Sequence, residues 1–500
     1  MMDRLIPVGK ITPKAARDIE FSRFGIGFEK LDRNVFDPEK AYAGLAEIGV
    51  KKARLQSGWQ RTERVKGVYD FAWLDSVVDN LLAIGVEPWL CFCSGNDLYS
   101  EEAKAVYGAV GIPPIYTEEE KTAWKNYVQA TVRRYKGKIH YYEVWNEPDG
   151  LWRRKDPFRS PEEVKREEDY YASLDPAYAE RLRNVSNGME YAKFCSDTAL
   201  ACKEADPDCE VIGLALAYRR DFAAAFCAAG GLEHVDAVTY HSYNLDEGTW
   251  RSKMQYIRDL LIQHGRTDIK IIQGESGTQS RPDGHGALQG GAWTPLKQSK
   301  YLLRHLVTDM GRGVEFASYF SCVDMIEALD GTVGAKASHL DYGYFGVLSA
   351  DFDEDGRSVG TYSPKMSYYA LQNLCSVLAE HFERCPIPVK GIIRHSQRMR
   401  ENDFDFNETS RFCFQRENGS RALFYWVPRN VVTETFEGTV SLELGEEVKG
   451  QKILLTNLLD GTVYQLGEAM LAEEGNLINV PCMDSPFMLT FGDFFDWEET

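Results

Sequence analysis

The sequence predicts a (β/α)8 barrel of parallel strands followed by a C-terminal antiparallel β-sandwich. Eight short runs rich in β-branched and aromatic residues, between positions 24 and 320, alternate with stretches of helical period. Past Pro386 the helical period stops, and apolar–aromatic runs separated by hairpin signals take over. A chain of 500 residues also exceeds one ordinary domain and accommodates a large domain with a smaller one. The expected division is an arm over 1–20 able to add a strand to the sandwich, a barrel over 21–384 and a sandwich over 385–500.

The elements follow in order. Phe24-Gly25-Ile26-Gly27-Phe28-Glu29 reads as the first strand, and 38–49 as a helix closed by Gly49. Lys52-Ala53-Arg54-Leu55-Gln56 is the second strand, ending near Trp59-Gln60. Residues 71–84 have apolar positions at helical spacing, with Gly85 as the stop. The third strand, 86–93, leads into Ser94-Gly95-Asn96, and a helix over 121–135 follows. The fourth strand, from His140 to Val144, ends in the polar tip Asn146-Glu147. Pro148 then bars both strand pairing and helix continuation. Residues 150–183 are charged, too long for an ordinary connection, and read as a loop bordering a pocket. A helix over 189–205 and a fifth strand over 210–214 resume the pattern. The sixth strand is 235–241, with a helix over 254–264. The seventh is 269–275, with a helix over 296–310. The eighth is 314–320, and a last helix runs over 367–380. In the sandwich, strands are expected at 412–414, 423–427, 440–444, 453–455 and 487–489, with turns at Asn418-Gly419 and Asp460-Gly461.

A net charge of −19 argues against nucleic acid or an anionic membrane as partner. The segment Met1-Met2-Asp3-Arg4-Leu5-Ile6-Pro7 has no apolar signal core, and no run is long enough to span a bilayer. A cytoplasmic location and a small, imported substrate are therefore expected. The eleven cysteines, with Cys91-Phe92-Cys93 alternating like a strand, read as reduced packing residues. Neither cysteines nor histidines show metal-ligand spacing, so no metal and no cofactor is expected. A large acidic chain with a sandwich appendage is compatible with a homo-oligomer.

In a parallel barrel, chemistry is done at the carboxyl ends of the strands. Glu147 ends strand four, and Glu275, within Gly274-Glu275-Ser276-Gly277, ends strand seven. These strands face each other across an eight-strand ring, so both carboxylates point into one cleft. Two such carboxylates are what glycoside hydrolysis needs: one protonates the leaving oxygen while the other attacks the anomeric carbon. Their proton affinities must be pushed apart. Arg54 beside Glu275 would keep it anionic, and Tyr243 would donate to the same carboxylate. Asn146 would hold a sugar hydroxyl, and His241 would line the pocket. The competing readings are a buried structural ion pair for Arg54 and a satisfied core histidine for His241. Asn96 and Tyr319, at the ends of strands three and eight, are further candidate contacts to substrate. Trp59, Trp89, Tyr99 and Trp293 are candidate sugar platforms, each with core packing as the competing reading.

Trp145-Asn146-Glu147-Pro148, His241-x-Tyr243 and Glu275 on strands four, six and seven resemble the clan A glycoside hydrolases. Trp59, Gly67-Val68-Tyr69-Asp70-Phe71 and Leu74-Asp75 resemble that clan's stretch after strand two. With Pro481 and Ser485-Pro486-Phe487 in the C-terminal part, the chain is most similar to family 39, the β-xylosidase and α-L-iduronidase family. The resemblance implies a retaining exo-β-glycosidase, with Glu147 as acid/base and Glu275 as nucleophile. Xylose is the first sugar it suggests, with glucose, galactose and arabinose behind it. Transglycosylation and a catalytically inactive glycan-binding barrel are the alternatives. The chain departs from the family at Tyr319-Phe320-Ser321-Cys322, where many clan members carry a tryptophan, and around Glu275, which lacks aromatic flanks.

Overall fold

The computed structural model describes residues 5–105, 111–152, 158–327, 339–393, 409–471 and 475–499. Eight parallel strands close into a barrel in sequence order. They are Phe24–Gly27, Lys52–Gln56, Glu87–Phe92, Tyr141–Val144, Glu210–Leu216, Ala237–His241, Lys270–Ser276 and Ala317–Tyr319. Closure is made by the pairing of Phe24 with Ala317. Helices cover the outside and side chains fill the inside, so the strands are buried on both faces and read as nearly continuous apolar runs. Trp89, Tyr141, Ile212, Ala237, Ile272 and Phe316 form one interior layer. Trp89 meets Phe316 edge-on at 5.3 Å, and the Arg54 guanidinium lies 5.4 Å from the Trp89 ring. Trp89 is thus a filler beneath the site, not a sugar platform.

Residues 150–183 are not a long loop. In their described part they are mostly helix: Pro161–Ala172, then the first turns of Pro176–Ala205, which begins well before residue 189. Ser160 and Glu163 form a reciprocal capping box at the first start, and Asp175 caps the second. Pro161–Ala172 fully buries none of its residues and half-buries only Val164, Glu167 and Tyr171, a stripe too thin to recognise it by.

The C-terminal domain is two antiparallel sheets. The larger contains Glu383–Arg384, Ser410–Gln415, Arg421–Trp426, Phe487–Phe491, Ile453–Asn457, Thr462–Leu466, Leu5–Ile11 and Trp497–Glu499 in that order. The smaller contains Val389–Ile393, Glu437–Leu444 and Leu477–Met483. Leu5–Ile11 lies between Thr462–Leu466 and Trp497–Glu499, paired with both. Strand Arg421–Trp426 shows why the larger sheet is so apolar. Leu423 and Tyr425 face the sandwich core, while Ala422, Phe424 and Trp426 join the core shared with the barrel. At that junction Glu247 accepts from Arg304 at 2.6 and 2.7 Å and from the Trp426 indole at 2.6 Å. Gly419 and Gly461 take the positive φ, +83° and +73°, that their hairpin turns require. All eleven cysteines are free, ten of them buried. No described helix is long and apolar enough to cross a membrane.

Candidate active site

Strand four delivers Glu147 through a tight left-handed turn. Trp145 and Glu147 both have positive φ, 66° and 45°, and Pro148 opens the one-turn helix Pro148–Leu151. Two non-glycine residues in this region are held only where the surroundings over-determine them. Here the hydrogen bond from Trp145 N–H to Phe92 O, at 2.7 Å, and the buried Trp145 ring supply the hold.

Strand seven delivers Glu275. Neither of its flanking glycines has positive φ, so they do not serve to free the backbone. They permit close approach instead: a Cβ at Gly274 would meet Thr239 Oγ1 at 2.4 Å and His241 Nε2 at 3.2 Å, and one at Gly277 would meet Phe320 O at 1.9 Å. Strand six therefore lies close enough to pair His241 with Glu275, across a register shift that follows Tyr240.

His241 is the centre of the site. Its Nδ1 lies 2.8 Å from Glu147 Oε1 and 2.9 Å from Glu275 Oε2. It is 1% exposed, but it is no inert core histidine, because its polar atom serves both carboxylates. Burial opposes its charge, yet Glu275 and Glu147 outweigh burial and push its ionisation up to about 10. The three groups also form the one set of converging metal-type ligands among the described residues, their ligand atoms all within 4.8 Å of one another. Each already has a partner inside the set.

Arg54 ties the rest together. It is fully buried and donates to Glu143 at 2.8 Å and to Asn146 Oδ1 at 2.9 Å. Its Nη1 lies 3.0 Å from Glu29 and 3.6 Å from Glu275. It is both an ion-pair hub and a neighbour of Glu275. Because Asn146 gives its oxygen to Arg54, its amide N–H group is left to donate elsewhere. Burial would raise the Glu275 carboxyl, but His241, Arg54 and Lys30 overcome it and hold it down at about 2. Glu29, beside the same guanidinium, goes the other way. Burial and the charge of Glu275 push it up to about 7 against Arg54.

Other expected contacts are not made. Among the described residues no hydrogen bond joins Tyr243 to Glu275. His241 is that carboxylate's partner, while Tyr243 packs edge-on against Phe345 at 6.2 Å. Burial, with Glu275 and Glu147 nearby, raises the Tyr243 phenol well above its ordinary range. Trp59 is fully buried, donates to Glu63 at 2.5 Å and stacks on Tyr99 and Tyr127, so neither it nor Tyr99 offers a free platform. Asn96 is consumed by loop backbone, donating to Glu63 O at 3.0 Å and accepting from Leu98 N–H at 2.9 Å. Trp293 is buried, with its indole on Leu288 O at 2.8 Å. Tyr319 is likewise buried, with its hydroxyl 3.5 Å from Thr278 O. At the strand-eight position where many clan members carry a tryptophan, Phe320 meets Phe345 at 5.4 Å and lies under the Lys30 ammonium at 5.3 Å. The Phe320–Ser321 peptide bond is cis.

Sequence reasoning missed Glu29, Lys30 and Glu143. Glu143 did leave a signal: a carboxylate between Tyr142 and Val144, inside an otherwise apolar strand, demands an interior cation.

A (β/α)8 barrel carrying a C-terminal sandwich is a fold shared with glycoside hydrolases of families 39 and 30. The particular likenesses are to a family 39 glycoside hydrolase from Bacteroides cellulosilyticus, with TM-score 0.59, 15% identity, 94% of this chain and 80% of that one covered; to a monomeric β-xylosidase from Caulobacter crescentus, with TM-score 0.54, 16% identity and 97% of each chain covered; and to a family 30 subfamily 8 xylanase from Clostridium acetobutylicum, with TM-score 0.51, 10% identity, 96% of this chain and 97% of that one covered. At these identities the likeness is one of fold. No protein-family model matches the chain, and no curated protein matches it by sequence.

Proposed function

We propose that this protein is a retaining exo-β-glycosidase. One observation carries the reading: Glu147 and Glu275 meet at a single histidine nitrogen, and a carboxylate oxygen of each lies within 4.8 Å of one of the other. Carboxylates that approach this closely favour double displacement, with its roughly 5–5.5 Å separation, over inversion, which needs roughly 6.5–9.5 Å for its water.

The roles follow from the surroundings. Glu275 is kept ionised by three cations and is the nucleophile at the anomeric carbon. Glu147 is the more exposed carboxylate, 24% against 10%, so it can exchange protons with water. It protonates the departing oxygen and, once the glycosyl–Glu275 ester has formed, takes a proton from the water that cleaves it. The Asn146 amide N–H, oriented by Arg54, is a donor for a sugar hydroxyl beside the reacting carbon. Xylose is the first glycone proposed. The fold shared with a β-xylosidase and a xylanase supports it. Short glycosides in the cytoplasm are the proposed substrates.

The test is hydrolysis of a panel of aryl α- and β-glycosides by wild type, Glu275→Ala and Glu147→Ala. The expected result is cleavage of one β-glycoside, loss of about 10^4-fold or more in Glu275→Ala, and rescue of Glu147→Ala by azide as the β-glycosyl azide. Full activity in Glu275→Ala would overturn the assignment.

A further inference from the structure

Among the described residues, the buried aromatics supply no platform for the part of the substrate beyond the scissile oxygen. In a retaining enzyme that part lies on the side of the proton donor. The exposed aromatics among the described residues are Phe158, Tyr170, Tyr178, Tyr218 and Tyr369, and Tyr218 alone directly follows a barrel strand. It is 58% exposed, and its ring edge lies 3.7 Å from where a Gly150 Cβ would sit. Gly150 belongs to the helical turn that begins right after Glu147.

This ring is held as a binding surface is held. Strand five ends in a bulge, between Gly213 and Leu216, with Leu214 and Ala215 at φ 71° and 42°. Such bulges re-aim the segment that follows. The Asp149 carboxylate, two residues past Glu147, then accepts the N–H groups of Ala217, Tyr218 and Arg219 at 2.9, 2.8 and 2.8 Å. Lys253 ties Ala217 O to His241 O. The Arg219 guanidinium lies 4.8 Å from the Tyr218 ring and donates to its hydroxyl at 2.9 Å. Arg219 is itself braced by Glu180 and by Asn184 on the long helix Pro176–Ala205. An idle surface tyrosine needs none of this. A ring whose order is established before binding loses little entropy when it stacks.

We propose that Tyr218 is the stacking platform for the aglycone, and that the substrates are accordingly β-glycosides whose leaving group is a ring, a second sugar or an aryl group. This rests on the glycosidase reading above. It also gives residues 150–183 a role, since Glu180 among them braces the Arg219 that donates to the platform's hydroxyl.

The experiment compares wild type, Tyr218→Ala and Tyr218→Phe on one glycone carried as the glycosyl fluoride, the methyl glycoside, the disaccharide and the aryl glycoside. The expected result in Tyr218→Ala is a fall in kcat/KM of about 5- to 10-fold for the disaccharide and aryl glycoside, the worth of one aromatic stack. The fluoride and methyl glycoside stay within about twofold, and Tyr218→Phe retains most of the wild-type value. An equal loss on all four substrates, or no loss on any, overturns the platform while the glycosidase reading stands. A wild type that releases sugar from none of the substrates overturns both.

Discussion

Replacing Glu29 by glutamine tests the electrostatics of the Arg54 hub while keeping the shape of the side chain. Glu29 is 2% exposed, with one oxygen 3.0 Å from Arg54 Nη1 and the other without a partner. Burial, with the Glu275 charge added, lifts its ionisation from 4.5 to about 7 against the pull of Arg54. At 1.36 kcal/mol per pH unit, holding it charged in the folded protein costs about 3 kcal/mol more than in the unfolded chain. A carboxyl raised on folding contributes stability that is fully present below its unfolded value and is lost as pH climbs through its folded one. Wild type should therefore lose about 3 kcal/mol between pH 4.5 and about pH 8 that Glu29→Gln keeps. A neutral glutamine stands beside Arg54 much as a protonated Glu29 does, so the two proteins should be of similar stability at the acid end. Urea unfolding followed by tryptophan fluorescence, at both pH values, measures the difference. Parallel loss in the two proteins, or a variant that loses more than wild type at high pH, would refute the reasoning.

Three further outcomes are expected. In His241→Gln the foremost group opposing burial at Glu275 is gone, so that carboxyl rises, and the acidic limb of kcat/KM should move to higher pH by about one unit or more; an unmoved limb would remove His241 from the control of Glu275. Glu247→Leu leaves the buried Arg304 guanidinium without its carboxylate at the barrel–sandwich junction, and should cost about 3–5 kcal/mol in chemical unfolding, against about 2 kcal/mol for Trp426→Phe, which removes the indole hydrogen bond and leaves a small cavity at a fully buried position. Trp59→Ala should cost about 3–5 kcal/mol of stability while leaving KM per folded molecule within about twofold of wild type; a large rise in KM at unchanged stability would restore Trp59 as a sugar contact.

The barrel was legible because its strands and helices bury one kind of side chain at one kind of spacing, down to the limits of Lys52–Gln56. The paired glutamates were legible because a carboxylate at a strand end interrupts an apolar run. What failed has physical causes. Pro161–Ala172 half-buries only a thin stripe at Val164, Glu167 and Tyr171, so its Ser160–Glu163 box was the clearer signal it offered. Leu477–Met483 hides behind Pro481; the arm's strand in the sandwich was expected, but its limits, Leu5–Ile11, were obscured by a Pro7 that sits at a register shift. Trp59, Trp293 and Tyr319 could not be separated from platforms, because burial is decided by neighbours distant in sequence. Tyr218 gave no signal at all: its exposure depends on a bulge and on Asp149, some seventy residues earlier.

The strand Leu5–Ile11 has a consequence for how the molecule can be made and divided. It fills a slot between two strands contributed more than 450 residues later. Cutting the chain near residue 385 would therefore not yield two intact domains. The barrel piece would carry a stranded apolar ribbon, and the sandwich piece would expose the edges of Thr462–Leu466 and Trp497–Glu499, a template for pairing with other chains. During synthesis the same geometry makes the sandwich the last part to close. The arm must wait, unpaired, until the end of the chain emerges, and the barrel forms inside a loop whose ends have not yet met.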